Sequence, residues 1–113
     1  MLWRRYNSRV GVATKTTVEI SELESDGQLL RFRSPLTVEV DAAEGAYGLW
    51  MPVFELGVAG RDKAEAWEML AELIIANYLD YRSVGKAPRY PLARKQWVAL
   101  RGTVSGFYVL QRD

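Results

Sequence analysis

The periodicity of this chain changes once, around Gly60-Arg61-Asp62, and that change restricts the fold more than any other feature. Before it, apolar residues recur at every second position. From Arg9 to Glu24, Val10, Val12, Thr14, Thr16, Val18 and Ile20 share one face while Ala13, Lys15, Thr17 and Glu19 share the other. That is the pattern of a half-buried strand. Ser25-Asp26-Gly27 supplies a turn, because Asp and Gly tolerate positive φ. Gln28 to Ser34 reads as a second strand, with Leu30 and Phe32 on one face and Arg31 and Arg33 on the other. Pro35 separates it from a third, in which Leu36, Val38 and Val40 alternate with Thr37, Glu39 and Asp41. After a loop from Asp41 to Gly45, a fourth extended segment runs from Ala46 to about Ala59. Pro52 cannot donate to a ladder, so it belongs at an edge or bulge and is expected to split this segment.

Beyond Gly60 the period becomes helical. Asp62 stands at an N-cap position with Glu65 three residues on, the acidic form of a capping box. Trp67, Leu70, Ala71, Ile74 and Tyr78 then recur at helical spacing, flanked by Ala66, Leu73 and Asn77, while Glu65, Glu68, Glu72 and Asp80 lie outside the stripe. A helix over 62–82, roughly 30 Å long, lays that stripe on the strands. Ser83 to Pro91 reads as a linker. Pro91 at a first helical position predicts a short helix over Leu92 to Leu100, and Thr103 to Leu110 reads as extended and pairs at an edge. The expected fold is α+β in one domain of 113 residues. It has a strand-rich sheet over 9–60, the amphipathic helix 62–82 and a basic C-terminal extension over 83–113. One long helix covers one face of a curved, mostly antiparallel sheet of four or five strands.

Composition removes much chemistry. The chain has neither cysteine nor histidine, so thiolate nucleophiles, imidazole acid–base pairs and the usual zinc sites are excluded. Glu65, Glu68 and Glu72 share a helical face and read as solvated acids near a helix N-terminus. Gly45, Gly48, Gly57 and Gly60 lack the spacing of a phosphate-binding loop. No catalytic residue, metal site or cofactor is assigned. The longest apolar stretch, Leu70 to Leu79, is interrupted by Glu72 and Asn77 and falls short of the ~18 residues that span a bilayer. No apolar h-region follows the basic N-terminus. The expectation is a soluble, cytoplasmic protein without a membrane partner.

Charge is sorted along the chain. Residues 1–16 hold four Lys/Arg and no acid, residues 17–80 hold 13 Asp/Glu against four Lys/Arg, and residues 81–113 hold seven Lys/Arg against Asp113. An acidic body between basic ends is a statement about partners. Trp3, Tyr6, Tyr90, Trp97 and Tyr108 lie within the basic ends. Interleaved cations and aromatics suit nucleic acid, where bases stack and phosphates pair. They also suit a protein interface, enriched in Trp, Tyr and Arg, including self-association of basic ends with the acidic body of a second copy. Protein association is the expected function, and nucleic-acid binding through the basic C-terminal segment is the alternative. In either case Arg82, Lys86, Arg89, Arg94, Lys95 and Arg101 are the binding candidates.

Three segments carry a resemblance: Ala46-Tyr47-Gly48-Leu49-Trp50-Met51-Pro52, Gly57-Val58-Ala59-Gly60 and Glu65-Ala66-Trp67-Glu68-Met69-Leu70. From Leu36 to Tyr81 the chain resembles the HicB-like family, the antitoxin half of HicA–HicB toxin–antitoxin modules. The resemblance implies an α+β fold of the degraded ribonuclease-H or double-stranded-RNA-binding kind. It also implies action by binding rather than catalysis, as a homo-oligomer or on a small basic toxin-like protein. Residues 83–113 are too short and too broken for the DNA-binding domain that full antitoxins add.

Overall fold

A computed structural model describes residues 14–110, in the order β1 (Thr14–Ser25), β2 (Gln28–Ala43), β3 (Ala46–Met51), β4 (Leu56–Gly60), α1 (Lys63–Val84), α2 (Pro91–Thr103) and β5 (Val104–Val109). Residues 9–13 of the expected first strand, Arg4, Arg5, Trp3 and Tyr6, and Arg112 near the other end, lie outside the described residues. The five strands form one open antiparallel sheet with two helices, an α+β fold in which α1 packs along one face.

β2 is the spine. β1 pairs along it from Thr14↔Ala42 to Ser25↔Gln28. On its other side β3 takes the C-terminal half and β5 the N-terminal half, from Gln28↔Val109 to Phe32↔Val104. The β1–β2 turn is the tight kind the sequence predicts: Asp26 and Gly27 adopt φ of 51° and 76°, the left-handed pair a two-residue hairpin requires. β3 and β4 are the expected halves of the fourth segment. Pro52 sits in the turn between them, where Phe54 and Glu55 donate backbone hydrogen bonds to the Met51 and Pro52 carbonyls.

Pro35 does not end a strand. β2 runs through it, because Leu30, Phe32, Leu36, Val38 and Val40 all keep the helix-facing side and the missing N–H falls in a break of the ladder. Pairing jumps there from Ile20↔Leu36 to Glu22↔Arg31. The shift also turns β1 over, so that Ile20 and then Leu23 pack on the core, whereas strict alternation would have sent Leu23 outward.

Asp62 caps α1 by accepting from the Glu65 N–H at 2.9 Å. Glu65 Oε1 in turn accepts from the Arg61 N–H at 2.8 Å, one residue earlier than the cap itself. Helix α1 buries Ala66, Leu70, Ala71, Ile74 and Ile75 against Leu30, Val38, Leu49 and Met51. Full burial of a Leu or Ile contributes roughly 1.5–3 kcal/mol. Trp67 lies half-buried at the margin of this layer. Trp50 is buried too, but it stands between Leu49 and Met51 of the core, so alternation sets it on the opposite face. Gly85, at φ 76°, closes α1 with its N–H on the Tyr81 carbonyl, the left-handed C-cap glycine favours. The segment that follows folds back into the body: Leu100 of α2 and Val104 of β5 are core residues. Among the described residues no helix is long and apolar enough to cross a membrane.

Candidate functional site

The last turns of α1 and α2 meet over the N-terminal half of β2. Between them lies a cleft of about 410 Å³ lined by Arg33, Tyr78, Tyr81, Arg82, Gly85, Trp97, Leu100, Arg101 and Val104. Three chain segments supply its three arginines. Arg82 is in the last turn of α1 and Arg101 in the last turn of α2, where a cation opposes the helix dipole favourably. Arg33 comes from β2 just past the final β5 pair, Phe32↔Val104, in the stretch where the β1 ladder is also interrupted. That double break lets an arginine assigned by simple alternation to the outer face line the cleft.

Aromatic rings hold two of these guanidinium groups. Arg82 stacks over Tyr78 at 5.7 Å and over Phe107 at 5.1 Å, and Tyr78 and Phe107 lean on each other at 6.0 Å. Arg101 stacks over Trp97 at 4.6 Å. Behind them the Tyr81 hydroxyl donates to Oε1 of the buried Gln96 at 3.3 Å, tying α1 to α2. Among the described residues, no carboxylate lines the cleft and none pairs with Arg33, Arg82 or Arg101. Stacking on a ring face orients a guanidinium without neutralising it. The cleft therefore presents three positive charges unpaired with any described carboxylate, two of them oriented by stacking, beside aromatic surface.

The other sequence candidates disperse. Lys95 is engaged within the molecule, its Nζ 2.8 Å from Glu55 Oε2. Arg94 donates through Nε to the Pro88 carbonyl at 3.3 Å and braces the linker. Lys86 and Arg89 are exposed on that linker. Only Arg82 and Arg101 of the six enter the cleft. Sequence reasoning missed Arg33, and it assigned Tyr78 to the apolar stripe. Tyr108 lies elsewhere, folded over Gly106 with Arg31 stacked on it at 5.4 Å.

A second concavity, between the β1–β2 hairpin and α1, is lined by Ser25, Asp26, Glu68 and Glu72, and the Ser25 hydroxyl donates to Glu68 across it. It is acidic, yet among the described residues no group of three or more carboxylates is placed to hold a metal ion. Among the described residues, the cleft is the concavity whose lining gathers three arginines with no carboxylate among them. Compared with known proteins, the chain matches no family model, no curated protein and no solved structure.

Proposed function

We propose that this chain is a non-enzymatic binding module whose partner is a nucleic acid, engaged through the arginine–aromatic cleft. One observation carries the reading: three guanidinium groups from β2, α1 and α2, two of them (Arg82 and Arg101) held by ring stacking and none paired with a described carboxylate, open on the same cleft as Trp97 and Tyr78. Arginine paired with aromatic faces is the combination that grips phosphates while stacking bases. The lack of histidine and cysteine supports binding rather than catalysis.

The test is fluorescence anisotropy of a labelled single-stranded oligonucleotide against the purified chain at rising salt. Binding that weakens steeply with salt, and that is lost in an Arg82→Gln/Arg101→Gln double variant of unchanged circular dichroism, supports the proposal. Absence of binding at low salt overturns it.

A second reading is protein association of the HicB-like kind, with a second copy or a small basic toxin-like protein as partner. It is favoured by the exposed apolar side chains of Val84 at the end of α1 and of Tyr90, Leu92 and Val98 at the start and on the exposed face of α2, 55–75% accessible and interspersed with arginines. Salt-tolerant self-association in sedimentation, without oligonucleotide binding, selects this reading.

A further inference from the structure

We infer that the cleft takes the phosphorylated end of a nucleotide chain, a phosphomonoester, in preference to an internal phosphodiester; this rests on the nucleic-acid reading above. The argument is one of shape and of charge. A cleft of about 410 Å³ is near the lower end of the range for small-molecule sites. It accommodates about one nucleotide, whereas a groove that tracks a strand contacts ~4–16. Of the other cations in the basic segment, Lys95 is paired with Glu55, Arg94 braces the Pro88 carbonyl, and Lys86 and Arg89 are exposed on the linker outside the cleft lining.

The charge balance favours an end as well. Arg33, Arg82 and Arg101 bring three positive charges. The same cleft receives the C-terminal turns of α1 and α2 through Tyr81, Arg82, Leu100 and Arg101, and each helix end carries about −0.5 of a charge. The site is therefore left with about +2. A phosphomonoester at neutral pH carries about −1.5 to −2 and three acceptor oxygens, against a single charge on an internal phosphodiester. Three guanidinium groups arriving from three elements match a terminal group approachable from three sides. The Trp97–Arg101 stack beside them offers a platform for the terminal base.

The experiment compares four ligands of one sequence at fixed salt by competition anisotropy: an oligonucleotide with a 5′-phosphate, one with a 3′-phosphate, one with hydroxyls at both ends, and the free nucleoside monophosphate. One phosphorylated end is expected to bind at least ~10-fold more tightly than the hydroxyl form, and the 5′ and 3′ arms show which. That preference is expected to disappear in Arg33→Gln and in Arg101→Gln. It should also shrink below pH ~6, where the second phosphate proton returns. Equal affinity for phosphorylated and hydroxyl forms overturns this inference and leaves the nucleic-acid reading standing. Failure of all four ligands to bind overturns both.

Discussion

Gly60 is the point where strand meets helix, and it leaves no room for a side chain. A Cβ there would lie 2.8 Å from the Ala66 nitrogen and 3.1 Å from its Cα, both backbone atoms of α1. Since backbone cannot rotate aside, Gly60→Ala must push the helix off the end of β4. A loss of about 1–3 kcal/mol is expected, the usual cost of overpacking, seen as a lower urea midpoint with unchanged slope. The adjacent cap gives a pH signature. Hydrogen bonds from the Arg61 side chain, and then from its backbone N–H, hold Glu65 below the usual carboxylate range. A carboxylate with a depressed folded value adds stability above its unfolded pKa, about 4.3 for Glu. It loses that stability as pH falls through the folded value. The chain should therefore melt progressively lower as pH drops through 4 and below, and Glu65→Gln should flatten part of that decline. Because the group is exposed the effect is small, and equal acid sensitivity in the two proteins would refute it.

At the scale of elements, α2 is held to the body by unequal contacts. The Lys95–Glu55 pair is solvent-exposed, with side chains 68% and 42% accessible, so Lys95→Ala should cost no more than ~1 kcal/mol. The Tyr81–Gln96 hydrogen bond is part-buried, and Tyr81→Phe strands the Gln96 oxygen without its donor. That should cost about 1–3 kcal/mol, and urea melts of the two variants side by side decide the order. How much the sequence disclosed also differs by element. The Asp62 cap, the Leu70–Ile74 stripe, the split at Pro52 and Pro91 at the start of α2 were all readable, because each rests on residues near one another in the chain. The continuation of β2 through Pro35 was not. A proline reads locally as a break, and the ladder interruption that accommodates it depends on the partner strand. The cleft was half readable for the same reason. Arg82 and Arg101 stand in a visibly basic segment, whereas Arg33 reaches the site only through the interrupted pairing on both sides of β2.

For the molecule as a whole, the sorted charge becomes a spatial separation along α1. Glu65, Glu68 and Glu72 stand near its start and Arg82 at its end. From Glu68 to Arg82 the helix rises about 21 Å at 1.5 Å per residue. The Debye length at physiological salt is about 8 Å, so the three carboxylates at the start of α1 are screened from the cleft; Asp80, two residues before Arg82, is outside its lining. A ligand in the cleft touches β2, α1 and α2 together, and Leu100 and Val104 on its wall are also core residues. Occupancy should therefore stabilise the entire fold rather than order a loop. At a ligand concentration 100-fold above Kd the gain is about 2.7 kcal/mol, several degrees per kcal/mol in the midpoint for a chain of this size. Calorimetric melts with and without the more tightly bound of the 5′- and 3′-phosphorylated oligonucleotides should show a shift of that order, saturating with concentration. Arg101→Gln should melt near the parent when free and show little shift with ligand. A shift of the parent's size in that variant would mean the oligonucleotide stabilises the fold from some other surface, because the cleft would then lack one of the three charges on which the proposed anion binding rests.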